Sequence, residues 1–193
     1  MKPVKSNLFN MIMAMAVVSI CSAASIGYVY QKTKEPIEKS KTMKISNAVA
    51  EMLGNFDNKP FEERVTLSSN DLELYPAKEN GVTTSVAIKS YSNNGFGGKI
   101  ELIIGLLMDG TITGYKVIQQ NETPGLGTKI AENKFSKQFV GLNTHSNSFE
   151  LSKNGGEIDA LTGATISSNA VVDAVKKAVT AFNNFAEGTK NDK

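Results

Sequence analysis

A run of 23 residues without a charged side chain, from Leu8 to Tyr30, most constrains what this chain can fold into. As an α-helix it would extend roughly 34 Å, at about 1.5 Å per residue, and so cross a hydrocarbon core of about 30 Å. We therefore predict one membrane-spanning helix at residues 8–30. In a chain of 193 residues, the remainder is long enough for one globular domain.

Two other interpretations of the apolar run stay open. The small residues at 22–25 resemble a signal-peptide cleavage site, but the run continues to Tyr30 and exceeds the roughly 7–15 residues of a signal core. Cys21 could instead carry a lipid, although the bulky Ile20 before it fits such a signal poorly. A retained anchor accounts for the whole run, in which Cys21 is a small apolar residue.

The single cysteine and the single histidine exclude several kinds of site. Because Cys21 lies in the predicted span, the following domain cannot contain an internal disulfide or a cysteine-ligated iron–sulfur cluster. His145 lies among Asn, Ser and Thr without a partner at metal-ligand spacing, which favours an exposed loop and no metal site. The formal net charge of +2 gives no sign of nucleic-acid binding.

Helical periodicity appears on both sides of the central part of the chain. An apolar stripe predicts a juxtamembrane helix between Pro36 and Gly54. A short helix is predicted to end near Phe139, and a last helix at about 167–185. The juxtamembrane stripe consists of Ile45, Val49, Met52 and Leu53, and the last helix has a stripe of Ala170, Ala174, Val175, Ala178 and Phe182.

The central part of the chain has the residue pattern of β-strands. An Asp-Gly turn at 109–110 between two apolar runs predicts a hairpin, and the first of these runs suggests burial on both faces. The predicted strands are residues 82–91, 99–108 and 111–120, with short candidates at 149–151 and 157–159. Together with the helices, these strands predict an α+β domain with a mainly antiparallel sheet and flanking helices.

These patterns divide the chain into five predicted segments. They are an N-terminal segment at 1–7, the membrane helix at 8–30, a juxtamembrane helix and linker at 31–60, one domain at 61–187, and a polar tail at 188–193.

The segment Asp159-Ala160-Leu161-Thr162-Gly163-Ala164-Thr165 immediately precedes the last predicted helix. Unpaired N–H groups and the helix dipole make a helix N-terminus a natural phosphate site. Gly163 and Ala164 allow a large group to approach, and Asp159 is expected to hydrogen-bond the loop amides. Hydroxyl donors come from Thr162, Thr165, Ser167 and Ser168. The alternative is purely structural, with Ser167 or Ser168 capping the helix.

This segment resembles the flavinylation signature Asp-x-x-(Ser/Thr)-Gly-Ala-Thr of the FMN-binding domain family, which the Rnf and Nqr electron-transport complexes share. A second motif, Glu122-Thr123-Pro124-Gly125-Leu126-Gly127, matches the Glu-Thr-Pro-Gly-Leu-Gly loop of the same family. The two motifs occur in the family's order after an N-terminal anchor. The overall likeness is greatest to the G subunits of Rnf complexes, which link ferredoxin and NAD.

The resemblance implies that a flavin transferase attaches FMN, with FAD as donor, to Thr165 through a phosphoester bond. It also implies that the loop residues lie near the flavin ring. Leu126 is suited to an apolar ring contact, and the loop glycines to a close approach of the backbone. The implied flavin-contacting residues are Asp159, Thr162, Gly163, Ala164, Ser167, Ser168, Glu122, Thr123, Leu126 and Gly127, with no catalytic residue and no metal ligand among them.

The implied protein is an electron-relaying subunit of the inner membrane, bound to the other Rnf subunits and to lipid. Without a Gly-x-Gly-x-x-Gly fingerprint after a strand, it should not oxidise NADH alone. The family places the C-terminal domain outside the cytoplasm, whereas a count of flanking lysines favours the inside. Two alternatives stay open, namely the C subunit of a sodium-translocating quinone reductase and an anchored assembly module without a cofactor.

Overall fold

The computed structural model describes residues 7–67 and 72–191. The chain divides into two compact units, Met1–Met43 and Lys44–Lys193. Of the predicted N-terminal segment, all but Asn7 lies outside the described residues, as do the last two residues of the predicted polar tail.

The first unit consists of most of a single long helix, α1, which runs from Leu8 to Leu53. Among the described residues it is the one helix long and apolar enough to cross a membrane, judged by length and composition. The prediction that a new helix starts near Pro36 is wrong, because α1 passes through this residue without a break. The proline removes one bond to the carbonyl of Lys32, and the exposure of this segment leaves that carbonyl accessible to water.

The last part of α1 belongs to the second unit and packs on its sheet. Ile45, Val49 and Leu53 are buried and Met52 is partly buried, which confirms the predicted stripe. Gly54, with φ of +74°, follows the last helical residue in the left-handed conformation that commonly ends helices.

Within residues 7–67 and 72–191, five antiparallel strands form one sheet in the order of the chain. They are β1 (Val65–Leu67), β2 (Leu72–Glu79), β3 (Val82–Gly95), β4 (Gly98–Leu107) and β5 (Ile112–Gln119). The predicted hairpin at Asp109-Gly110 is confirmed, and the Leu107 amide donates to the carbonyl of Thr111 across it at 2.8 Å. Strands β1 and β2 were not predicted from the sequence, since Pro76 and several charged residues obscure the alternation in β2.

Each face of the sheet is covered by a different helix. The second long helix, α3 (Thr165–Asn191), packs on one face, where Ile104 of β4 lies in the same apolar cluster as Val175. The end of α1 packs on the other face, where Ile103 lies in a cluster with Val49. The expected burial of the apolar run 103–107 on both faces is therefore confirmed, except at Leu107, which is exposed.

Helix α3 is tied to β3 by polar contacts as well as by its buried stripe. The stripe residues predicted from the sequence are all buried, but α3 extends to Asn191, beyond the predicted end. Ser90 donates to the carbonyl of Ala174 at 2.7 Å, and Ser92 donates to Asp173 at 2.7 Å. Partial burial raises the pKa of Asp173, but bonds from Ser92 and Lys177 outweigh it and hold the pKa below its ordinary value.

Short helical turns connect β5 to the region before α3. The predicted short helix is in fact three consecutive turns, namely a 3₁₀ turn at Gly127–Ala131, α2 at Asn133–Ser136 and a 3₁₀ turn at Lys137–Phe139. The two short strand candidates form only an isolated parallel bridge, between Leu151 and Ile158. The long stretch between β5 and α3 is thus mostly loop, with short helical turns and an isolated β-bridge as its regular structure.

Replacing Gly105 with Ala should lower the stability of the second unit. A Cβ at this position of β4 would lie 2.2 Å from Oγ1 of Thr113 and 2.7 Å from the carbonyl oxygen of Met52. Those two atoms form one of the hydrogen bonds that hold the end of α1 on the sheet, at 2.9 Å. We expect a loss of about 2–3 kcal/mol and a fall in thermal midpoint of roughly 5–10 °C in detergent-solubilised protein.

The matched control is Gly188→Ala, the same change at a position on α3 where an added Cβ would meet no atom within 4 Å beyond its neighbours and the surrounding helical backbone. Its midpoint should stay at the wild-type value or rise slightly, because alanine favours helix. Equal midpoints for the two variants would contradict the packing argument.

Candidate functional site

Three segments distant in sequence meet around one cavity of about 570 Å³. They are the turn between β3 and β4, the loop after β5 and the start of α3. The residues that line the cavity are Phe96, Glu122, Thr123, Leu126, Gly127, Gly163, Ala164, Thr165, Ile166 and Ser167. The structure therefore brings the two sequence motifs together, and the volume of the cavity lies within the range of small-molecule sites.

The start of α3 leaves several backbone N–H groups available to a ligand. Ala164 precedes the helix, and its carbonyl accepts from the Ser168 amide at 3.0 Å. An alanine has no side-chain acceptor with which to cap the helix. In the described part of the chain, the amides of residues 165–167 have no hydrogen-bond partner, and neither does the half-buried Thr165 hydroxyl. This arrangement suits an anion.

Ser167 and Ser168 form hydrogen bonds within the site and do not cap the N-terminus of α3. The fully buried Ser168 accepts from the Leu161 amide at 3.0 Å and donates to the carbonyl of Ala164 at 2.9 Å. It therefore closes the loop before the helix. Gly163, with φ of +75°, supplies the left-handed turn in that loop. The alternative in which Ser167 or Ser168 caps α3 is wrong, since both lie inside its first turn.

Asp159 and Thr162 lie apart from the cavity that contains Thr165. Both are exposed and line a separate cavity of about 680 Å³, which also contains Lys129. Asp159 is held through its main chain, whose amide donates to Gln138 Oε1 at 2.7 Å. The expectation that its carboxylate binds the loop amides is not met among the described residues. Ser168 performs that task from inside the helix.

Glu122 connects all three segments. Only 4% of it is exposed, and its Oε1 accepts from the Gly97 amide at 2.9 Å. Its Oε2 accepts a short hydrogen bond from the Ser167 hydroxyl. A Cβ on Gly127 would lie 2.7 Å from the same Oε2, so glycine leaves the space that this carboxylate fills.

The rim of the cavity is apolar and exposed. Phe96, Leu126 and Ile166 expose 69%, 45% and 51% of their surfaces. Only Leu126 was expected here from the sequence. The signal for Phe96 was an aromatic residue among the glycines of 95–98, a pattern that by itself indicates a turn. Ile166 carried no signal, because its exposure depends on where α3 begins.

The residues of this site fit FMN at both ends of the molecule. Free amides and an unpartnered hydroxyl at the start of α3, within the described residues, match a phosphate. The exposed apolar side chains of Phe96, Leu126 and Ile166 match a planar aromatic ring. In residues 7–67 and 72–191, no group of three or more His, Cys, Asp or Glu side chains is arranged to hold a metal ion.

Comparisons with known proteins agree with this fit. Residues 95–180 match the FMN-binding domain family. The chain is 30% identical over 191 residues to the G subunit of the ion-translocating oxidoreductase complex of Vibrio cholerae, covering 92% of this chain and 91% of that protein. It is 32% identical over 193 residues to the G subunit of the same complex of Shewanella piezotolerans, covering 93% and 91%.

Two solved structures share the fold. One is the C subunit of Na(+)-translocating NADH-quinone reductase from Parabacteroides distasonis, with a TM-score of 0.54, 16% identity, and coverage of 79% of this chain and 96% of that one. The other is NqrC from Shewanella oneidensis, with a TM-score of 0.50, 20% identity, and coverage of 66% and 70%. The chain belongs to the family of G subunits of ion-translocating oxidoreductase complexes and contains the FMN-binding domain of that family.

Proposed function

We propose that this protein is a membrane-anchored flavoprotein that relays electrons within an Rnf-type ion-translocating complex, through FMN bound covalently to Thr165. The observation that supports it most is the Thr165 hydroxyl. It is free of partners in the described structure, at an uncapped helix start, on a cavity with an apolar rim. FMN, when bound, supplies the redox chemistry.

The attachment exchanges one phosphate bond for another and involves no oxidation or reduction. A flavin transferase, as the resemblance to the family implies, presents FAD to the Thr165 hydroxyl. The bond from Oγ1 to the flavin-side phosphorus forms, the bond to the second phosphate breaks, AMP leaves and the hydroxyl proton is released. The amides at the start of α3 then face the negative phosphodiester, which the helix dipole stabilises.

The remaining residues of the cavity shape the place for the ring. Leu126 and Phe96 offer apolar surface on two separate loops, and Ile166 offers it from the start of α3. The loop that carries Leu126 is ordered by its own backbone, because the carbonyl of Thr123 accepts from the amides of Leu126 and Thr128. A ring held between loops at the surface remains within reach of an electron-transfer partner.

The anchor restricts where this relay operates. Residues 8–30 cross the inner membrane once, surrounded by lipid and the other subunits of the complex. The domain lies on the periplasmic side, as in the family that the motifs resemble. A covalent bond suits that location, because a flavin that dissociated outside the cytoplasm would not easily be replaced.

The test is mass spectrometry of the peptide containing Thr165 from protein purified from its native membrane. A mass increase equal to FMN less water on that residue supports the proposal, and an unmodified peptide refutes it. In-gel fluorescence after denaturing electrophoresis is the corresponding assay for the intact chain. Negative results in both assays would favour the assembly module without a cofactor.

Co-purified partners distinguish the two electron-transfer alternatives. Subunits of a ferredoxin- and NAD-linked complex support the Rnf assignment. Subunits of a sodium-translocating quinone reductase would replace it. The identity to G subunits over nine-tenths of their length favours the first outcome.

A further inference from the structure

Glu122 is enclosed by groups of the protein itself. Each oxygen of its carboxylate accepts a hydrogen bond, Oε1 from the Gly97 amide and Oε2 from the Ser167 hydroxyl. Two glycines complete the enclosure, since a Cβ on Gly95 would lie 2.6 Å from Oε1 and one on Gly127 would lie 2.7 Å from Oε2. A carboxylate accepts and does not donate, so both bonds are directed into it.

The two donors belong to two of the three segments that carry the apolar rim, and Glu122 itself lies in the third, the loop that holds Leu126. Gly97 directly follows Phe96 in the turn between β3 and β4, and Ser167 directly follows Ile166 in α3. One side chain thus joins the turn that holds Phe96 to the helical turn that holds Ile166 and Thr165. These bonds cross 25 and 45 residues of sequence, so no local structure would replace them.

We propose that Glu122 is a positioning residue that fixes the distance between the Phe96 turn and the first turn of α3, and so keeps the flavin ring confined without contacting it. This inference rests on the proposed function, because it requires FMN on Thr165. It also differs from the interpretation of Glu122 as a flavin ligand that the loop motif suggests.

The experiment uses full-length flavinylated protein in detergent and measures the quenching of flavin fluorescence by iodide, which reports access to the ring. Ser167→Ala keeps the carboxylate but removes its bond to α3. Glu122→Ala removes both bonds. We expect a severalfold higher quenching constant in each single variant. The double variant should show no further rise, because both changes break the same connection between Glu122 and α3.

Glu122→Gln separates positioning from charge. Its amide oxygen can accept from Gly97, and its NH₂ group can donate to the oxygen of Ser167, so the connection survives without the negative charge. We therefore expect wild-type quenching in this variant. Normal quenching in Ser167→Ala, or strong quenching in Glu122→Gln, would overturn the proposal in favour of direct action on the ring.

Asp173→Ala, which removes the acceptor of the Ser92 hydroxyl, is the matched control for general loosening of α3. Asp173 also joins β3 to α3, through Ser92, but it does not line the cavity. Its quenching constant should equal that of the wild type, whereas an increase like that of Ser167→Ala would contradict a local role for Glu122.

A readout without flavin separates this inference from the proposed function. In the Thr165→Ala background, which prevents attachment, hydrogen exchange of the Gly97 amide should be severalfold faster with Glu122→Ala. Unchanged exchange would refute the connection. Absence of flavin from the wild-type protein would refute the proposed function. The exchange result would still show whether Glu122 makes the connection to Gly97.

Discussion

Thr165→Ala should abolish covalently bound flavin while the fold remains intact. The change removes the one atom that can form the phosphoester, whereas alanine is readily accommodated in the first turn of a helix. We expect complete loss of the fluorescent band after denaturing electrophoresis. The free energy of unfolding should change by no more than about 0.5 kcal/mol, as for a substitution that breaks no described contact.

Two matched variants sharpen this test. Thr165→Ser keeps a hydroxyl at the same place and should retain the band. Thr180→Ala removes a threonine from the same helix at an exposed position, where its hydroxyl bonds only the carbonyl of Lys176 within the described structure, and should also retain it. A band that persists in Thr165→Ala, at unchanged peptide coverage, would place the attachment elsewhere.

Gly97→Ala should both destabilise the second unit and open the flavin site. The added Cβ would lie 1.8 Å from the carbonyl oxygen of Asn121 and 2.5 Å from its carbonyl carbon. Because these are backbone atoms, no change of rotamer relieves the overlap. The turn must move away from the loop, which also breaks the bond from the Gly97 amide to Glu122.

We expect a loss of about 3 kcal/mol, at the upper end of measured overpacking effects, and a thermal midpoint roughly 6–12 °C lower. Flavin that remains attached should become more accessible to iodide. The control is Gly125→Ala in the other loop, where φ is +76° but an added Cβ would meet no atom within 4 Å beyond its chain neighbours. Backbone strain alone should cost about 1 kcal/mol there. A milder effect in Gly97→Ala than in Gly125→Ala would contradict the overlap.

Much of the fold could be predicted because its signals are local. The apolar run of α1, the hairpin turn at Asp109-Gly110 and the stripe on α3 each depend on spacing within a few residues, and all three were predicted from that spacing. Strand β2 could not be predicted, because it has no such local signal. Its burial comes from pairing with β3 and from the helices on both faces, and Pro76 hides it from a search for alternation.

The roles of individual site residues depended on contacts between distant segments. Asp159 and Thr162 belong to the same motif as Thr165, yet they line a different cavity. Phe96 belongs to neither motif, yet it lies on the rim. Position in the sequence could not show which of these residues line the cavity with Thr165, because the side chains of a loop before a helix point in different directions.

By itself the sequence determined the membrane-length helix, the α+β class, the hairpin and the two motifs that identify the family, since each is carried by residue type and short-range spacing. Only the tertiary structure decided which residues surround Thr165. It brought the β3–β4 turn, the loop after β5 and the start of α3 together through the buried carboxylate of Glu122. That convergence has no local signal, because it depends on sheet registration and helix packing across the whole second unit.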